Sequence, residues 1–341
     1  MENLVIQTEK LSEWVNEVIK KNKVFAPVKE TDFSNFKIID DYSEIDFTYL
    51  LPRVPAKKIL FKQTETLFLF TPGSKGSVQT KEISDEKLVV FSLRTCDAKT
   101  FSILDPVFLG DYADPFYKSR RERSILIGLS CNKPNVNCFC TSFGDSPASS
   151  DYVDILLTDL DGKHLVEVVT ERGKKFIDNY KKFFTSASKE DLDSKKKVEE
   201  QAIKGITRTM KLEGIPEKLD KMFEHPIWYE NAMKCIGCGT CTFVCPTCHC
   251  FDMQDESTLR EGARVRVWDY CMNPEYTHHA SGHNPRPARM NRVRNRIFHK
   301  FNYYPINDNI VGCTGCGRCI DYCSVNIDVI DIINKIGEAE S

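Results

Sequence analysis

No sign of charge dominates this chain: 47 Lys and Arg face 49 Asp and Glu, a formal net charge of -2. There is therefore no global field to draw in nucleic acid or an anionic membrane. No segment approaches the roughly 18 uninterrupted apolar residues of a membrane span. The opening MENLVIQTEKLSEW has neither the basic stretch nor the apolar stretch of an export leader, so a cytoplasmic location is expected. Nucleotide signatures are missing as well. No GxGxxG follows a predicted strand, and Gly73-Ser74-Lys75-Gly76 is not a P-loop, because Leu69 and Ser74 stand where its two glycines should be.

At 341 residues and 41% apolar content, the chain suits two domains with ordinary buried cores. Leu11, Trp14, Val15, Val18 and Ile19 recur at helical spacing, and Val24-Phe25-Ala26-Pro27 reads as a short extended run. LFLF (67–70), KLVVFSL (87–93), SILIGL (124–129) and YVDILLTDL (152–160) read as strands, the last turning at Asp161-Gly162 into HLVEVV. Ala98 to Leu104 looks helical. The fold class is α+β: an N-terminal α/β-type domain over 1–190, then a helical domain over 191–341 whose one candidate strand is ARVRVW (263–268). The charged stretch 186–201, a linker or a solvated helix, marks the boundary.

Fifteen cysteines are too many for packing alone, and a disulfide framework is out of place in a reducing compartment. Metal ligation is the expected use. Cys235-x2-Cys238-x2-Cys241-x3-Cys245-Pro246 is the bacterial ferredoxin ligand run, and Cys313-x2-Cys316-x2-Cys319-x3-Cys323 repeats it. Three thiolates at two-residue gaps wrap one face of a cubane, and Gly237, Gly239, Gly315 and Gly317 let backbone N–H groups turn toward the sulfides. In two-cluster ferredoxins the fourth cysteine ligates the other cluster. This assigns Cys235, Cys238, Cys241 and Cys323 to one [4Fe-4S] cluster, and Cys313, Cys316, Cys319 and Cys245 to a second. Four-cysteine zinc sites generally use two CxxC pairs across a longer loop. Ser324 stands where the second run would have proline, which shapes the chain but ligates nothing.

Cys96 and Cys131 each follow a predicted strand and can project from the same sheet edge, with Cys138 and Cys140 close behind. These four suit a third iron-sulfur cluster, with [4Fe-4S] the favoured form; buried free thiols and a structural zinc are the alternatives. Cys248, Cys250 and Cys271 remain, near His249, His278, His279 and His283. They read as reduced thiols packed around the clusters or as ligands of a further metal, the former being favoured. The stretch 286–300 carries five Arg and one Lys without an acid, yet Met290, Val293, Ile297 and Phe301 recur at helical spacing. An amphipathic helix that docks a partner or balances cluster charge fits this better than a nucleic-acid arm.

Taken together, Cys96-Asp97, Cys131-x6-Cys138-x-Cys140, Cys245-Pro246-Thr247-Cys248-x-Cys250, Trp268-x2-Cys271, Gly282-His283 and the two cassettes resemble the iron-sulfur electron-transfer subunit family shared by anaerobic sulfite reductase and sulfhydrogenase, where it is the beta subunit. The likeness runs from Val24-Phe25-Ala26-Pro27 through Glu65-Thr66-Leu67-Phe68 to the end. It implies an alpha-helical ferredoxin fold for the dicluster domain and a polypeptide that is not catalytic alone. Such a carrier passes electrons between two partners. One is a flavin and [2Fe-2S] subunit that oxidises NADH or NADPH. The other is a catalytic redox subunit of sulfite reductase, hydrogenase or heterodisulfide reductase type. Two rival functions are a redox enzyme with its own substrate site near Cys248, Cys250 and Cys271, and a redox-sensing interaction protein.

Overall fold

The computed structural model describes residues 2–73, 76–80 and 82–339. Ser74 and Lys75 of the Gly73–Gly76 stretch lie outside the described residues.

Among the described residues twelve strands form two sheets. The larger joins β1 (Glu2–Gln7), β2 (Lys23–Lys29), β3 (Ser34–Ile39), β6 (Leu88–Leu93), β7 (Ser124–Leu129), β8 (Ile155–Asp159), β9 (Lys163–Val168) and β10 (Thr185–Ser186) in the order β10-β1-β9-β8-β7-β6-β2-β3. Its centre, β2, β6, β7 and β8, is parallel, and the outer strands pair antiparallel. A central parallel sheet is covered on both faces, which is why its strands read as unbroken apolar runs. Val89, Phe91, Ile127, Leu129, Ile155 and Leu157 enter one core with Trp14 and Val18 of helix Thr8–Ile19. Their neighbours Val90, Leu126 and Leu156 enter a second core with Phe101 and Leu104 of helix Thr95–Leu109.

The smaller sheet was only half expected. It runs β11-β12-β4-β5, pairing β4 (Thr64–Thr71) and β5 (Ser77–Thr80) with the hairpin β11 (Phe251–Ser257) and β12 (Gly262–Trp268) that follows the first cassette. The segment after residue 191 is thus not wholly helical. β11, FDMQDES, is exposed at every position, and only Phe251 and Met253 alternate before it turns wholly polar. A buried carboxylate fastens this sheet: Glu65 of β4 meets Arg120 at 2.5 and 2.9 Å and Arg266 of β12 at 2.7 Å.

The stretch 186–201 resolves as a helix, Lys189–Lys204, started by a Ser188 and Asp191 capping box. Beyond it, helices Ile215–Lys221, Ile227–Lys234, Arg289–Phe298 and Val329–Glu338 pack around Leu219, Trp228, Phe298, Ile333 and Ile336. Into this core enters Phe139, the residue between Cys138 and Cys140, with 1% of its surface exposed. Among the described residues, no helix is long and apolar enough to cross a membrane.

Phe139 therefore anchors the loop of one half in the core of the other. Phe139→Ala is expected to cost about 3 to 5 kcal/mol of stability, the range for truncating a buried Phe. Urea unfolding measures it, and a midpoint equal to that of the parent would show that the anchor carries no load.

Candidate metal centres

The first group of cysteines gathers at the carboxyl edge of the parallel sheet, where adjacent strands end together and open sheets place their ligand sites. β6 and β7 are parallel neighbours, and a bulge at Ser92 (φ 63°) shifts their register before Leu93 pairs with Gly128. The chain then turns directly into helix Thr95–Leu109, which carries Cys96 in its first turn. Cys131 follows β7, its N–H donating to the Pro147 carbonyl at 3.0 Å. Cys96, Cys131, Cys138 and Cys140 all line one cavity, and Gly315 and Cys316 of the second cassette line it with them. The structure thus brings together the four cysteines that the sequence could only group, and adds an unexpected neighbour.

The approach is close. The Phe139 N–H donates to the Gly315 carbonyl at 2.8 Å. Gly315 and Gly317 have φ of 68° and 76°, and a Cβ on either would fall 2.5 Å from Cys140 N or 2.4 Å from Asn137 O. Only glycine admits both the backbone conformation and the contact. Beside them, Arg318 gives two parallel hydrogen bonds to Asp97, at 2.9 and 2.7 Å, and a third to the Pro52 carbonyl at 2.8 Å. Asp97 and Arg318 are 0% and 1% exposed.

The spacing assigned the fourth cysteine of each run to the cluster of the other. Cys235, Cys238, Cys241 and Cys323 border one cavity, with Cys319 also on its wall. Lys300 donates both to Cys245 Sγ at 3.4 Å and to the Gly312 carbonyl, just before Cys313, at 2.8 Å. Most of these thiols are buried or partly so, whereas Cys238 is exposed. Burial pushes Cys138 and Cys140 up to about 12 and Cys313 to about 11. Without metal they hold their protons at neutral pH, so metal uptake must displace them.

Basic groups stand where they meet thiolate charge. The Arg94 guanidinium is buried, donates to the carbonyls of Ser130 at 2.6 Å and Tyr49 at 2.8 Å, and faces Cys131 and Cys96. Lys300 reaches Cys245 Sγ at 3.4 Å, and Arg296 reaches Cys248 Sγ at 3.3 Å. Arg292 and Arg294 are also buried, so the basic helix turns much of its charge inward while Val293, Ile297 and Phe301 enter the cores. Cys248, Cys250 and Cys271 lie together beside His249, whereas His278 pairs with exposed Glu275 and His279 with His283 outside that cavity. Sequence reasoning missed Lys57 because it lies far along the chain from Cys248, and it missed Arg94 and Arg318, neighbours of Cys96 and Cys319, because nothing local shows that their side chains are buried.

The donor chemistry fits iron-sulfur clusters. Among the described residues no three His, Cys, Asp or Glu side chains converge as they would around a lone ion. Thiols set apart around a space, ringed by cations, suit the larger anionic cluster. The class is that of a [4Fe-4S] dicluster protein, and the 4Fe-4S dicluster domain family matches residues 234–327. Over 339 residues, 99% of each chain, the protein is 32% identical to sulfhydrogenase 2 subunit beta of Pyrococcus furiosus. The chain belongs to the family of iron-sulfur electron-transfer subunits shared by sulfhydrogenase and anaerobic sulfite reductase. No solved structure matches it.

Two glycine substitutions separate backbone strain from close approach. Gly237→Ala meets nothing within 4 Å at φ 73°, so it should cost only the left-handed strain of about 1 to 2 kcal/mol. Gly315→Ala adds a collision with the Cys140 backbone and should cost clearly more. Equal unfolding midpoints for the two would contradict the contact.

Proposed function

We propose that this electron-transfer protein is a three-cluster relay in an anaerobic, cytoplasmic, heteromeric complex. In it the chain carries electrons between an NAD(P)H-oxidising flavin and [2Fe-2S] partner and a catalytic subunit of sulfite reductase, hydrogenase or heterodisulfide reductase type. The ligand sets are those of the sequence: Cys235, Cys238, Cys241 and Cys323; Cys313, Cys316, Cys319 and Cys245; and Cys96, Cys131, Cys138 and Cys140. The observation that carries this reading is the shared cavity, in which Cys316 stands beside all four first-domain thiols. A centre there would be separated from the second cassette by little more than a glycine backbone. The division of the chain near residue 190 belongs to the same reading, with the helical cluster half as the alpha-helical ferredoxin-like part.

Two further features support a relay over an autonomous enzyme. Cys238 is exposed, and Tyr229, Met233 and Ile236 stand exposed on and just after the helix that leads into Cys235. The first-cassette centre thus has a short route to a partner, while the first-domain centre lies at the opposite end of the series. The inward turn of Arg292, Arg294 and Arg296 leaves little of the basic helix for nucleic acid, which disfavours the redox-sensing alternative.

Anaerobic reconstitution of cysteine variants tests the ligand sets. Cys138→Ser is expected to lose about four iron per chain and one reducible signal, with both cassette signals intact. Cys323→Ser should alter the signal of the Cys235 centre. Damage confined to the Cys313 centre would refute the crossing. Iron unchanged in Cys138→Ser would remove the first-domain cluster. Reduction of sulfite or a heterodisulfide by the purified chain with an artificial donor would overturn the carrier role.

A further inference from the structure

Three thiols are unused by this relay, and the fold brings them together. The β11–β12 hairpin pairs Phe251 with Trp268, and the Asp269 N–H donates to the Cys250 carbonyl at 3.0 Å. That closure sets Cys250, just before the hairpin, near Cys271, just after it, where the two pack in one cluster. Cys248 follows Cys245 by three residues and so lies on the side of the second cassette. Cys248, Cys250 and Cys271 line one small cavity with His249, His299 and Tyr304.

The charge around this cavity is unbalanced. The Lys57 ammonium, on a side chain 2% exposed, donates to the Cys248 carbonyl at 2.6 Å and lies 4.3 Å from the centroid of the Trp268 ring. Arg296 reaches Cys248 Sγ at 3.3 Å and Lys300 reaches Thr247 Oγ1 at 2.7 Å. Among the described residues none of these three cations forms an ion pair with a carboxylate; their polar partners are carbonyls, a hydroxyl and cysteine sulfurs. Burying a cation without an anion costs several kcal/mol. The cassette clusters offer charge to Lys300 through Cys245 and to Arg296 through its neighbour Cys241. Lys57 reaches neither cassette in this way and donates to the Cys248 carbonyl at the edge of this cavity.

We infer that Cys248, Cys250 and Cys271 hold an additional iron-sulfur cluster beside the second cassette, its remaining corner facing the His249, His299 and Tyr304 wall. Thiolate ligands select iron-sulfur clusters or zinc among common centres, and a lone zinc needs its donors gathered on one point. No such convergence exists among the described residues. Binding of a cluster there would displace the thiol protons. Lys57 then has its anion. This centre is additional to the three of the relay, and its test uses none of their ligands.

The full chain, loaded anaerobically with ferrous iron and sulfide, is compared with Cys250→Ser and Cys271→Ser for iron, acid-labile sulfide and zinc. Each variant is expected to lose about four iron and about four sulfide per chain while keeping the reduced signals of both cassettes. Unchanged iron, or zinc present in the parent and lost in the variants, overturns the inference. So does a Cys250–Cys271 disulfide-linked peptide from the loaded parent. Should the variants fold poorly, alkylation of the parent decides. Cys250 and Cys271 should be protected when loaded and modified after chelation, whereas equal rates in both states contradict a cluster.

Discussion

Arg318 and Asp97 meet where both side chains are sealed from water, and the meeting of the sheet edge with the second cassette is built around that pair. Each ion would be costly alone, and a buried pair is tolerated only where its hydrogen bonds are complete. Here they are: Asp97 receives two N–H groups, and Arg318 spends a third on the Pro52 carbonyl. Because Asp97 adjoins Cys96 and Arg318 adjoins Cys319, the pair fixes the sheet-edge thiols against the second cassette. Phe139 in the helical core and the bare backbone of Gly315 against Cys140 hold the same junction from the other side.

The same junction explains the placement of the other buried cations. Arg94, Arg296, Lys300 and Lys57 each lie beside cysteine sulfur or its carbonyl, and among the described residues none of them forms an ion pair with a carboxylate. In the proposed relay these cations stabilise the more negative, reduced form of each centre, and they raise its potential relative to the same ligands in a neutral pocket. They also bury charge that the protein alone does not balance. In that relay chain and clusters would be coupled, with metal binding contributing to folding.

Much of this was legible in the sequence. The duplicated cassette spacing identified the dicluster half, and the apolar runs at 87–93 and 124–129 marked the parallel strands whose ends carry Cys96 and Cys131. β11 escaped because only Phe251 and Met253 alternate before it turns wholly polar, and its pairing with β12 is what makes it a strand. The basic helix was legible as amphipathic, but the inward course of its arginines was not, since a buried Arg and a solvated Arg look alike in sequence. Arg318 lies 221 positions from Asp97, a separation at which no local pattern announces a contact.

The relay requires the first-domain centre to be electrically continuous with the second cassette. Low-temperature EPR of the fully reduced chain tests this through magnetic coupling between neighbouring paramagnetic clusters. A broadened, interacting spectrum is expected in the parent, resolving into isolated cassette signals when Cys138→Ser removes the neighbour. A parent spectrum equal to the sum of independent centres, unchanged in shape at the cassette signals by that substitution, would contradict it.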